Sequence, residues 1–346
     1  MAWWEKEKIQ DKLPFMQARG LAKTAMRSWF SSKRFTEVET SQLQISPGNE
    51  THLLGFDTKW HSPSKQAHQL YLATSPEFSH KKLIAGGMKR IYEFARVFRN
   101  SEIGPLHAPE FTMLEWYRAN EDWNQIIADT LELCIAAAQA VGADYFTWKE
   151  KSVAINVPPK SLTLQQAFQQ YAGIDLLATL DNQGNGLRDE LALASHRAGV
   201  NVANDDNWSD IFTKILVGKI EPNLGFDAPT ILCEYPLPEA ALARKCAHDP
   251  RVVERFELYI CGVEIANGFG ELTDPTEQRA RFVASMIEMQ RLYGYNYPID
   301  EELLGALQQI PPTSGVALGF DRLVMLISGA RSINDVIWTP FALEQK

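Results

Sequence analysis

Cysteine is scarce in this chain. Its 346 residues hold four, Cys134, Cys233, Cys246 and Cys261, and no Cys-x-x-Cys pair. That argues against a zinc site and suits a reducing cytoplasm. The seven histidines show no metal-ligand spacing either. No run of about 18 apolar residues occurs, which speaks against a transmembrane helix. The opening MAWWEKEKIQDKLP mixes charges with tryptophans and lacks a signal-peptide core. There is no internal repeat and no low-complexity linker. A basic excess is also missing: net charge is −9. Proteins that grip long nucleic acid usually carry a basic balance, so tRNA or DNA is disfavoured as the main partner, while a local basic patch stays open.

What is present is ordinary globular composition, 45% apolar and 22% charged. The length allows one large α/β or α+β domain, or one domain with an insertion. Helical spacing of Phe15, Ala18, Ala22, Met26 and Trp29 predicts a helix over 15–30, after Pro14. FTEVET (35–40), KRIYEFARVFR (89–99) and EFTMLEWYR (110–118) read as strands. NQIIADTLELCIAAAQAVG (124–142) reads as an amphipathic helix stopped by Gly142. From about 145 to 228 two helical patterns lie among Gly-, Asn- and Asp-rich breaks, which predicts a small helical insertion. Strands return at 230–235 and 255–269, a helix at 276–293, then a strand and helix within SGVALGFDRLVMLISG (314–329). The sum is α+β: an antiparallel sheet flanked by helices.

Three stretches carry chemistry. The first, FRNSEIGPLHAPEFTMLEWYR (98–118), joins two strands by a loop of roughly eleven residues, long for a hairpin. Alternation sends Glu93, Ala95, Val97 and Arg99 to one face, and Phe111, Met113, Glu115 and Tyr117 to one face of the partner. Arg99 at the strand end suits a phosphate, because its planar fork binds two oxygens. Taken alone, the stretch fits a surface hairpin with an arginine–glutamate ion pair better. The second is RFELYICGVEIANGFGELTD (255–274). A turn at Cys261-Gly262 sets 259 opposite 264 and 257 opposite 266, so Glu257, Tyr259 and Glu264 share a face. Two carboxylates so close call for a cation, and hard oxygen ligands suit Mg²⁺; a solvated edge is the other reading. Simple alternation puts Asn267, Phe269 and Glu271 on the opposite face, unless Gly268 or Gly270 makes a bulge. In the third stretch, Gly315 and Gly319 permit close backbone approach. Arg322 falls in the first turn of the following helix, where an anion-binding role is favoured over a structural one; an Asp321–Arg322 surface pair is the alternative.

Together these stretches resemble the class II aminoacyl-tRNA synthetases, most closely the lysyl branch. FRNSEIGPLHAPEF is similar to motif 2, GVALGFDRL to motif 3 and RFTEVETSQL (34–43) to motif 1. TSPE (74–77), EFTMLEWY and ANGFGELTD resemble the lysine-site segments. Only about 33 residues precede motif 1, too few for an OB-fold anticodon-binding domain. The resemblance therefore narrows to the free-standing paralogues that transfer (R)-β-lysine to a lysine side chain of elongation factor P. Ala317, where lysyl-tRNA synthetases usually have glycine, resembles that branch.

The resemblance implies ATP as substrate, Mg²⁺, a homodimer, elongation factor P as acceptor, and no tRNA or membrane partner. It implies Arg99 on the α-phosphate and substrate carboxylate and Arg322 on the γ-phosphate. Asn100, Ser101 or Glu102, His107, Ile265 and Gly319 would line the nucleotide, and Glu257 and Glu264 the metal. Ser75, Pro76, Glu77, Glu115, Tyr117, Asn267, Phe269, Glu271 and Ala317 would line the diamino acid. Departures from the pattern are Ser41 in place of a motif 1 proline, Ala108 where relatives often carry asparagine, and Ser101 where motif 2 expects an acid, with Glu102 one place later. The other readings are an enzyme acting on an RNA or small molecule, and a non-catalytic regulatory paralogue.

Overall fold

A computed structural model describes residues 2–240 and 242–341. The chain divides into two compact units, 1–143 with 273–346, and 144–272. Both are α+β, with antiparallel ladders flanked by helices.

In the first unit, Arg90–Phe98 and Glu110–Ala119 pair antiparallel, and Thr313–Gly319 pairs antiparallel with the latter. Thr36–Glu37 adds a short parallel edge. The expected strand at 35–40 shortens to those two residues because Thr40 leaves the ladder. Its N–H and hydroxyl go instead to the Glu93 carboxylate, at 3.1 and 2.8 Å. The first helix runs Lys6–Ser32, straight through Pro14. Proline removes one intrahelical donor, but Gln10, whose carbonyl loses it, is exposed and has water as a substitute. This helix packs on Trp123–Val141 and on Phe320–Ser328. Asp122 caps Trp123–Val141, and Gly142 ends it at φ 77°, the left-handed stop its sequence predicts.

Two buried ion-pair clusters tie these helices to the ladder. Arg118 donates two hydrogen bonds to Asp129, at 2.5 and 3.0 Å. Arg19 pairs with Asp321, which also accepts from the Thr112 N–H at 2.8 Å. Asp321 is therefore a buried structural acid, which replaces the surface pairing with Arg322 that the sequence left open.

In the second unit, Val252–Ile260 pairs antiparallel with both Thr230–Pro236 and Val263–Gly270, and Lys160–Thr163 lies parallel to Thr230–Pro236. The block 145–228 carries three α-helices, Leu164–Ala172, Arg188–Arg197 and Trp208–Ile215, and also strands that its sequence pattern does not give. It opens with a two-stranded ribbon, Tyr145–Trp148 and Lys151–Ala154, before Lys160–Thr163. The helices follow: Leu164–Ala172 starts at a Thr163–Gln166 capping box, and Trp208–Ile215 at Asn207 and Asp210. Phe168, Phe212 and Trp208 stack in a row beneath them.

Candidate active site

In the first hairpin, Glu93 pairs with Glu115, Ala95 with Met113, Val97 with Phe111 and Ile91 with Tyr117. Cross-strand partners share a face, so the alternating sets read from the sequence do meet. Ala317 sits opposite Glu115 on the neighbouring strand and packs with Ala95, Val97, Met113 and Phe111.

Glu115 is the centre of a buried polar cluster, itself only 1% exposed. Ser75 donates to one of its oxygens at 2.6 Å and the Tyr117 hydroxyl to the other at 2.9 Å. Ser75 Oγ in turn accepts from the Glu77 N–H at 3.0 Å, which fixes the Ser75-Pro76 turn at the start of the Glu77–Ala85 helix. Glu77 pairs with buried Lys81 one turn on, at 2.6 Å. His80, which sequence reasoning missed, is fully buried between Glu93 and Glu115. Burial pulls its imidazolium down, but the neighbouring Glu115 carboxylate and the hydrogen-bonded Glu93 outweigh this and hold it above its usual value. The signal that could have found it is helical phase: His80 lies one turn after Glu77, on a helix beginning at a predicted site residue.

At the other end of the hairpin, Arg99 stacks over Phe111, with Cζ 5.3 Å from the ring centre, and donates weakly to the Thr74 carbonyl. Arg322 contacts His107 Nε2 at 2.8 Å and donates to the Leu106 carbonyl at 3.2 Å. His107 is held below its usual value by burial first, then by the charge of Arg322; Glu102 pushes the other way and Arg99 again lowers it. Both arginines and Glu102 therefore act on the charge of one loop histidine, and Arg322 touches it. Ser101 is exposed at φ 64°, with its N–H on the Asn100 side chain at 2.8 Å. This left-handed step is uncommon outside glycine and turns the chain just before Glu102. Gly319 has φ −69°, so its backbone does not demand glycine. A Cβ there would lie 3.4 Å from Arg322 Cδ, an ordinary contact with a flexible side chain, so Arg322 does not demand glycine either.

The second hairpin differs from its sequence reading in one decisive place. Tyr259 opposes Glu264 as expected, but Glu257 opposes Asn267, not residue 266, and Arg255 opposes Phe269. The register skips Ile265, making a bulge there rather than at Gly268 or Gly270. The bulge reverses the alternation, so Arg255, Glu257, Tyr259, Glu264, Asn267 and Phe269 share one face. The turn is Cys261-Gly262, at φ 54° and 75°, the paired positive angles of a tight hairpin. Glu257 accepts from Arg255 and from the Tyr259 hydroxyl, each at 2.7 Å. Arg255 thus supplies a cation the sequence reading did not count. The Tyr259 hydroxyl also reaches Glu221 at 3.3 Å. Glu221 is raised by burial and then by the charge of Glu257 and Glu264. Asn267 Oδ1 is buried with no hydrogen-bond partner among the described residues, an acceptor suited to a ligand N–H. Glu271, just past the strand, is 1% exposed.

Metal fit follows from this donor set. Among the described residues no group of three or more acidic, histidine or cysteine side chains is arranged to hold an ion. Mg²⁺ bound to nucleotides commonly takes only one or two carboxylates and completes its shell with phosphates and water. Glu257 and Glu264, on one face of the second hairpin, are two carboxylates of the kind such a site uses.

Comparison with known proteins places the chain. The family model for class II tRNA synthetases (D, K and N) matches residues 3–342, and the chain belongs to that family. It is similar to proteins named elongation factor P–(R)-β-lysine ligase. That of Klebsiella pneumoniae (strain 342) is 37% identical over 94% of each chain. That of Proteus mirabilis (strain HI4320) is 36% identical over 96% of this chain and 98% of the relative. Family and relatives together make this chain an ATP-dependent ligase.

Proposed function

We propose that the chain activates a lysine-type amino acid, (R)-β-lysine, as its adenylate and transfers it to a lysine side chain of elongation factor P in the cytoplasm. The observation that carries this reading is the buried Glu115–Tyr117 pair, bonded by Ser75, on the hairpin whose loop begins at Arg99. Carboxylates are the natural partners of ammonium groups, and a diamino acid brings two of them.

The reaction needs no covalent enzyme intermediate. A substrate carboxylate oxygen attacks the α-phosphorus of ATP and pyrophosphate leaves. The acceptor amine then attacks the acyl carbon, AMP leaves, and the amine loses a proton. Positioning and charge stabilisation carry both steps. Arg99 holds the α-phosphate and substrate carboxylate together, and Arg322 the γ-phosphate. Asn100, Glu102, His107, Ile265 and Gly319 line the nucleotide. Ser75, Glu77, Glu115, Tyr117, Asn267, Phe269, Glu271 and Ala317 take the amino acid. Glu257 and Glu264 would hold Mg²⁺, which would offset phosphate charge. The motif 1 segment makes a homodimer contact, and sedimentation should give twice the chain mass; a monomer at all concentrations would remove that contact.

Two assays decide the main reading. The chain should catalyse ATP–pyrophosphate exchange with a lysine isomer, and elongation factor P incubated with it, ATP and (R)-β-lysine should gain one lysyl mass. No exchange with any isomer would leave a regulatory binder. Exchange without protein modification, alongside charging of tRNA, would make it an RNA-acting enzyme.

A further inference from the structure

Glu93 and Glu115 are directly opposed across the first hairpin, and both are buried, at 4% and 1% exposed. Like charges so placed repel. His80 enters from the Glu77–Ala85 helix with Nε2 2.9 Å from a Glu93 oxygen and Nδ1 3.4 Å from a Glu115 oxygen. Its ring meets Tyr117 edge-on, 5.2 Å between centres. Among the described residues, the remaining hydrogen bonds to the two acids come from neutral groups: Thr40 on Glu93, Ser75 and Tyr117 on Glu115. On its own helix the neighbouring charges, Glu77 and Lys81, pair with each other. Among these facing groups His80 alone can place positive charge between the two acids.

We infer that His80 is a positioning and specificity residue of the amino-acid pocket, one that keeps Glu115 charged and oriented for the substrate ammonium by offsetting Glu93. The inference rests on the proposed function, which gives Glu115 its role. The elevated basicity of the imidazole, won against complete burial, agrees with it. Without the ring, two opposed buried carboxylates relieve their repulsion by sharing a proton or turning apart. Either response weakens the hold on an ammonium group and leaves the phosphate grip of Arg99 and Arg322 untouched.

The test is steady-state ATP–pyrophosphate exchange with (R)-β-lysine and α-lysine as probes. It compares the natural chain with His80→Met, His80→Gln, and each combined with Glu93→Gln. His80→Met should raise KM for the amino acid about tenfold, with KM for ATP and kcat within about twofold of the natural values. Adding Glu93→Gln removes the opposing charge and should recover most of that loss, which a merely structural histidine would not allow. If His80→Met does not fold, the His80→Gln pair carries the same comparison. An unchanged amino-acid KM, or a KM for ATP that rises in parallel with no rescue, overturns the inference and leaves the function standing. A natural chain inert with both lysines overturns both.

Discussion

Ala317 is one methyl group opposite Glu115, packed against Phe111 and the Ala95–Val97–Met113 cluster. A methyl at a pocket wall is worth about 1–3 kcal/mol of discrimination, enough to choose between isomers that differ in where the amine sits. Ala317→Gly should therefore shift the ratio of kcat/KM for α-lysine over (R)-β-lysine upward by about tenfold; an unchanged ratio removes Ala317 from the pocket wall. The motif 2 loop poses a similar question. Ser101 takes the left-handed step and is exposed, while Glu102 acts on His107. On the proposed reading Glu102 stands in for the motif 2 acid one position later, after the turn at Ser101. Glu102→Ala should raise KM for ATP several-fold, with Ser101→Ala close to neutral. The reverse order would make the serine the nucleotide contact.

At the scale of elements, the hairpins work because helices lock them. Arg118 and Asp129 join the Glu110–Ala119 strand to the Trp123–Val141 helix through a paired hydrogen bond, 3% and 0% exposed at the side chains. Removing one partner of such a pair strands a buried charge, so Asp129→Ala should cost about 3–5 kcal/mol in urea unfolding. A loss below about 1 kcal/mol would mean that Glu121, also bonded to Arg118, takes over. The second hairpin shows what one residue of register does. Strand parity was legible in RFELYICGVEIANGF, as was the turn. The bulge was not, because glycines at 268 and 270 looked like the natural place for it and the ladder put it at Ile265 instead. A bulge is decided by how both strands pack along their whole length, not by local backbone freedom.

For the molecule as a whole, pH offers a reading of the buried charge. His80 is held above its ordinary value near 6.5 in the folded chain. A raised folded value contributes stability that is complete below the unfolded value and is lost as pH climbs through the folded one. The destabilisation caused by His80→Gln should accordingly be larger at about pH 6 than at about pH 9 in urea unfolding; equal costs at both would mean the ring is neutral throughout. The α+β class, the long helices with their glycine stops and the family itself were all legible in the linear order of residues. Periodicity is local, and the motifs occur in one order over nearly the whole chain. The charge partners across elements were not. Lys81 on Glu77, one helical turn apart, and Arg255 on Glu257, alternate residues of one strand, are local pairs that helical phase and alternation allow; His80 between Glu93 and Glu115 and Asp321 beneath Arg19 are contacts between residues whose sequence gives no sign of pairing. Alternation and helical phase say which way a side chain faces within its own element. Which charge it meets there depends on register and on helix placement, and those are set by packing between segments far apart in the chain.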